Sequence, residues 1–167
     1  MATPHRSEHE SPAPAAVRVR EGARVAVVRS VYEGEITRAL VDGARAAWSE
    51  AGGADDGLVL VDAPGSFELP QIAMALAESE GFDGVVALGC LIKGETRHDE
   101  YIASAVADGL MRVALDTGVP VAFGVLTTNT RGQAVDRSGG ARGNKGAEAM
   151  LACLATMAVV GAEVGTG

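Results

Sequence analysis

The chain has 167 residues, suited to one domain around one core, with 47% hydrophobic residues, 4% aromatics and a formal net charge of -8. An acidic chain without a basic stretch offers nothing to neutralise phosphates, which argues against nucleic acid as a partner. No apolar run reaches the ~18 residues a membrane-spanning helix needs. The polar N-terminus, with His5, Arg6, Glu8 and Glu10, is not a secretory signal. Residues 1–22 hold Pro4, Pro12 and Pro14, half of the six prolines, and have no apolar periodicity. They are expected to form a disordered tail. One domain is expected over 23–160, and the glycine-bearing residues 161–167 should fray.

Along the domain, strands and helices alternate. Val25-Ala26-Val27-Val28 is a β-branched run bounded by Arg24 and Arg29. Ile36, Leu40, Ala44, Ala47 and Ala51 then share one helical face, which Gly52-Gly53 ends. Leu58 to Val61 is a second short strand, and Pro70 to Glu78 a second helix with proline in its first turn. Gly84 to Cys90 is apolar throughout, as a central strand should be. His98 to Thr117 is a long helix, with Ile102, Ala105, Val106, Gly109, Leu110 and Val113 expected inward. After the Gly118-Val119-Pro120 break comes a fourth strand, Val121 to Leu126. A short helix near Arg131 to Arg137 and a last helix from Lys145 to Val159 complete the order. Strands separated by helices mean βαβ units. The fold class is therefore α/β, a three-layer, flavodoxin-like sandwich with a central four-stranded parallel sheet and helices on both faces.

In such sheets ligands bind outside the carboxyl ends of the strands. Four segments lie there: Ser30 to Glu33, Pro64 to Glu68, Leu91 to His98 and Thr127 to Thr130. His98 is the sole histidine outside the tail, opens a helix and neighbours Lys93, Glu95, Thr96 and Arg97. An imidazole that titrates near neutral pH suits proton transfer. Gly94-Glu95-Thr96 can offer N–H groups and a hydroxyl to an anion at the helix start. Arg137 and Lys145 could add cations for a phosphate, or be solvated surface charges. Tyr32 and Phe67 could hold a planar heterocycle between flat rings, or anchor their loops. Ser138 to Gly146 lacks the Gly-Lys-Ser/Thr ending of a P-loop and is better taken as a helix-to-helix connection, with Asn144 as N-cap. No GxGxxG follows the first strand, which disfavours simple dinucleotide binding. Cys90 and Cys153 are far apart in apolar runs and are expected to be buried, reduced thiols of a cytoplasmic protein.

Four blocks carry a family resemblance. PGSFELP (Pro64 to Pro70), GCLIKGETRHDEYI (Gly89 to Ile102), FGVLTTNTRGQAVDR (Phe123 to Arg137) and GNKG (Gly143 to Gly146) occur in order. Together they resemble the lumazine synthase family over about residues 24–160. That family condenses 5-amino-6-(D-ribitylamino)uracil with 3,4-dihydroxy-2-butanone 4-phosphate, without metal or organic cofactor. The resemblance implies roles by position. Tyr32 matches the ring that stacks on the pyrimidine. Ser66, Phe67 and Glu68 match the loop holding the ring and ribityl chain, and Cys90, Leu91 and Ile92 lie on the same substrate side. Gly94, Glu95 and Thr96 match the phosphate-facing turn, and His98 the proton-transfer histidine. Phe123, Arg137 and Lys145 match residues that a neighbouring subunit contributes, with Arg137 on phosphate.

The resemblance further implies a homo-oligomer built on a pentamer, with a sixty-subunit shell preferred over a free pentamer or decamer. It also suggests riboflavin synthase as a partner. The chain departs from the pattern where Val31-Tyr32-Glu33 replaces the usual Arg-Phe-Asn, and where Ala141 stands in a place often held by Lys. Two other readings stand beside it. One is a flavin or lumazine carrier in which His98 is incidental. The other is a cage-forming protein without catalysis.

Overall fold

The computed structural model describes residues 17–164, with side chains as far as Gly161. Four strands form one parallel sheet: β1 (Val25–Ser30), β2 (Leu58–Ala63), β3 (Gly84–Ile92) and β4 (Val121–Thr128), in the order β2-β1-β3-β4. The order follows from burial. β1 and β3 are apolar on both faces and lie inside; β2 leaves Leu60 partly exposed and lies at an edge. This is the flavodoxin-like α/β arrangement, in which the chain's direction across the sheet reverses between β1 and β3.

Helices cover both faces. α1 (Gly34–Glu50) and α5 (Lys145–Val164) enclose one core with Val25, Val27, Val86, Leu88 and Leu126. α2 (Leu69–Glu78) and α3 (His98–Thr117) enclose the other with Val28, Val85, Ala87 and Val125. α1 buries Ile36, Leu40, Ala44, Ala47 and Trp48 along one stripe, as the spacing requires. It stops where Gly52 takes φ 88°, a left-handed conformation that glycine adopts without strain. There Gly53 N–H bonds Trp48 O at 2.9 Å and Gly52 N–H bonds Ser49 O at 3.0 Å, satisfying two terminal carbonyls. Burying one Leu or Ile of such a stripe is worth about 1.5–3 kcal/mol. At the α1–α5 crossing, a Cβ on Gly146 would stand 1.9 Å from Leu40 O, so only glycine allows this approach.

Several details differ from expectation. β3 and β4 each run two residues past Cys90 and Leu126, because their ladder continues through Leu91↔Thr127 and Ile92↔Thr128. Ala105 is exposed; the buried stripe of α3 is Val106, Leu110 and Val113, and Ala105 lies on its margin. Between α4 (Arg131–Arg137) and α5, the connection is a small hairpin of β5 (Ser138–Gly140) and β6 (Gly143–Asn144). Asn144 does cap α5: its Oδ1 accepts from Gly146 and Ala147 N–H, while its Nδ2 donates to Ala39 O at 2.8 Å. Residues 1–16 of the expected tail lie outside the described residues. Residues 17–22 are packed instead: Val17 is buried, Val19 N–H bonds Ala51 O, and Arg20 pairs with Asp83. α5 continues to Val164, and residues 165–167 lie outside the described residues.

Candidate functional site

The carboxyl ends of β1, β2 and β3 deliver three loops to one place, and a cleft of about 440 Å³ opens between them. That is the size of a small-molecule site. Its lining brings together Tyr32, Ser66, Phe67, Glu68, Cys90, Leu91, Ile92 and His98. Glu33, Gly65 and Ile102 line it as well and stood outside the expected set. Ile102 follows His98 by one helical turn, so the periodicity of α3 could have placed it. Only the packing of loop against loop brings in Gly65: a Cβ there would be 2.8 Å from Glu68 Oε2 and 3.6 Å from the Tyr32 ring.

The walls are built by close approach. A Cβ on Gly89 would stand 2.7 Å from Ser66 Oγ and 3.3 Å from Leu69, so the glycine of β3 admits the loop after β2. Ser66 is buried, and its Oγ has no hydrogen-bond partner among the described residues. Such an orphaned hydroxyl is costly unless something pairs with it. Two aromatic rings are held out of the core: Tyr32 is 70% and Phe67 61% exposed. The alternative in which Phe67 anchors its loop in the core is thereby excluded.

Cys90 forms part of the inner wall. Burial pushes its thiol up to about 11; the Glu33 carboxylate adds to the rise and the Arg131 guanidinium opposes it. The thiol is therefore protonated at neutral pH and is no nucleophile, since the thiolate is the reactive form. His98 is the first residue of α3, with its ring exposed at the rim. Gly94, Glu95 and Thr96 are exposed on the segment leading to it and do not line the cleft. No side chain caps the start of α3, which leaves its first N–H groups without a capping acceptor. Arg97 turns away to pair with Glu100 at 2.9 Å.

Phe123, Arg137 and Lys145 do not join the cleft within one chain. Phe123 lies opposite Ala87 in the β3–β4 ladder and is 47% exposed. Arg137 donates to Gln133 O of its own helix at 3.1 Å, and Lys145 pairs with Glu148 at 2.7 Å. The segment after β4 serves α4 instead. Thr130 caps it by accepting from Gln133 N–H, and Gln133 Oε1 reaches back to Asn129 N–H.

Fold and cleft together define a flavodoxin-like α/β protein with a small-molecule site at the carboxyl edge of its sheet. Residues 22–160 match the family described as 6,7-dimethyl-8-ribityllumazine synthase. Relatives bearing that name occur in two strains of Thermus thermophilus. Each is 45% identical over 134 residues, covering 80% of this chain and 85% of the relative. A relative from Deinococcus deserti is also 45% identical, covering 80% of this chain and 86% of its own length. The chain belongs to the 6,7-dimethyl-8-ribityllumazine synthase family.

Proposed function

We propose that the chain condenses 5-amino-6-(D-ribitylamino)uracil with 3,4-dihydroxy-2-butanone 4-phosphate to 6,7-dimethyl-8-ribityllumazine, releasing phosphate, in riboflavin biosynthesis. The observation that carries this reading is a single cleft holding a titratable imidazole, His98, beside two exposed aromatic rings and an orphaned hydroxyl. The pyrimidine stacks on Tyr32 and Phe67. Ser66 Oγ and Glu68 accept or donate hydrogen bonds to the ring and ribityl hydroxyls. The phosphate sits against Gly94, Glu95 and Thr96 at the start of α3, where free N–H groups favour an anion.

The amine of one substrate attacks the carbonyl of the other, water leaves as the imine forms, phosphate departs, and a second loss of water closes the ring. His98 moves the protons that these steps require. The condensation has no net redox change, and holding amine and carbonyl together supplies much of the acceleration.

In this reading the site is completed by a second copy. Phe123, Arg137 and Lys145 stand apart from the cleft of their own chain and serve a neighbour's, with Arg137 gripping its phosphate through two parallel hydrogen bonds. The ring is a pentamer. The Ser138–Asn144 connection is a short hairpin with no insertion, which favours a larger shell of pentamers. Exposed Tyr101, Met111 and Leu115 on α3 offer apolar area for contacts between copies. A cytoplasmic location suits two free, buried cysteines, Cys90 and Cys153. Among the described residues no helix is long and apolar enough to cross a membrane.

Incubation of the purified protein with both substrates tests the reaction. The fluorescent lumazine should accumulate with one phosphate released per product. Tight binding of the aminouracil without turnover would instead make the protein a carrier.

A further inference from the structure

One feature of the cleft belongs to this chain's own departures from the family pattern. Glu33 ends the β1–α1 turn at φ 51°, ψ 46°. Among the described residues only Glu33 and Glu80 are non-glycine residues at positive φ. A glutamate in this region is strained and keeps the conformation only where its surroundings impose it. Here they do so from across the sheet edge. Arg131, the first residue of α4, donates to Glu33 Oε2 at 2.6 Å and to Glu35 Oε2 at 2.5 Å. One guanidinium thus ties the last residue of the turn to the first turn of α1, using its two terminal nitrogens.

The path of the pair matters. α4 follows β4, and the turn follows β1; β3 lies between them in the sheet. Arg131 and Glu33 therefore meet over the carboxyl end of β3. The Cys90 thiol on β3 feels both charges, which agrees with that placement. Glu33 lines the cleft, and the residue before it is Tyr32. Among the described residues no hydrogen bond holds the Tyr32 hydroxyl, and its ring is largely exposed, so its direction is inherited from the backbone of the turn.

We propose that Arg131, through Glu33 and Glu35, is a positioning residue that sets the β1–α1 turn and thereby aims the Tyr32 ring at the pyrimidine substrate. The proposal rests on the lumazine synthase reading for its substrate, but the clamp itself is a property of the free protein. Neither Arg131 nor Glu35 needs to touch substrate. The phosphorylated substrate, whose phosphate is read as sitting against the segment leading into α3, should not sense the clamp.

Two measurements on the assembled protein test this. Amide hydrogen exchange over Val31–Thr37, without substrate, should be faster in Arg131→Ala than in wild type, with Arg131→Lys between them. In steady-state kinetics, Arg131→Ala should raise KM for the aminouracil about two- to fivefold, the factor an exposed ion pair can move. KM for the butanone phosphate and kcat should stay unchanged. The double variant Arg131→Ala/Glu33→Gln should be no worse than the poorer single variant, because without Arg131 the Glu33 substitution has no ion pair left to remove. Unchanged exchange, additive losses, or an equal rise in both KM values would overturn the clamp. A wild-type protein that makes no product would overturn the enzymatic reading instead, while the exchange measurement still decides the clamp.

Discussion

At the scale of single residues, His98 and Tyr32 carry the sharpest expectations. His98 opens α3 at the cleft's rim, and its imidazole makes no hydrogen bond to another described side chain that would remove it from solvent or substrate. His98→Ala should lower kcat about 10²–10⁴-fold, the usual contribution of a proton-transfer group, while circular dichroism and assembly mass stay as in wild type. Turnover equal to wild type would remove His98 from the mechanism. Tyr32 is a test of shape against polarity. Its ring lies against Gly65 and the hydroxyl has no partner among the described residues, so Tyr32→Phe should leave KM for the aminouracil within about twofold. Tyr32→Ala should raise it by about tenfold, because an aromatic stacking contact is worth roughly 0.5–1.5 kcal/mol beyond its buried area. A large loss in Tyr32→Phe would assign the hydroxyl a role of its own.

At the scale of elements, the seam between α1 and α5 is the tightest joint described. Gly146 meets the Leu40 carbonyl, and a Cβ on Gly43 would stand 2.2 Å from the Asn144 side chain that caps α5. Gly146→Ala should therefore force the helices apart and cost about 1–3 kcal/mol. At fixed protein concentration the urea midpoint should fall, with the slope of the transition kept. An unchanged midpoint would mean that α5 can slide along α1 without loss. The cost would be felt beyond the seam, since α5 and the hairpin before it fix the chain on which Arg137 and Lys145 sit.

At the scale of the whole molecule, two thiols make the fold sensitive to alkali. Cys153, buried between β3, β4 and α5, is pushed up to about 12 by burial, with the backbone at Val85 opposing the rise; Cys90 is pushed up to about 11. Both exceed the ordinary thiol value of 9.0. Above pH 9 the unfolded chain releases these protons while the folded chain keeps them. The folded state then binds more protons, so stability is full below pH 9 and falls as pH rises toward the folded values. Each thiol should contribute on the order of 1–3 kcal/mol of loss by pH 11. Urea midpoints taken from pH 8 to 10.5 should decline less steeply in Cys153→Ala than in wild type; parallel declines would refute the assignment. Assembly belongs to this scale too. Light scattering in dilute buffer should give at least a pentameric mass, because the site proposed here needs a neighbour's Phe123 and Arg137. A fully active monomer or dimer would refute the shared site; a lone active pentamer would refute only the shell.

The sequence alone determined the four strands of the parallel sheet, the five α-helices and the edge where the cleft lies, but not the β5–β6 hairpin. Helical and strand periodicities, the Gly52-Gly53 stop and the apolar run GVVALGC are local signals, and a parallel sheet puts its loops on one side by rule. The blocks around Phe67 and His98 were equally legible, because chemistry that needs particular residues at particular spacings leaves strings of them behind. What only the tertiary structure decided were relations between segments distant in the chain. The strand order, the orphaned Ser66 hydroxyl, the seating of Gly65 under Tyr32, and the packing of Val17 and Val19 all depend on which surfaces meet. Arg131 and Glu33 are 98 residues apart, and each alone looks like a solvated surface charge. Their pairing arises because the sheet order sets only β3 between β1 and β4, and local sequence carries no record of that distance.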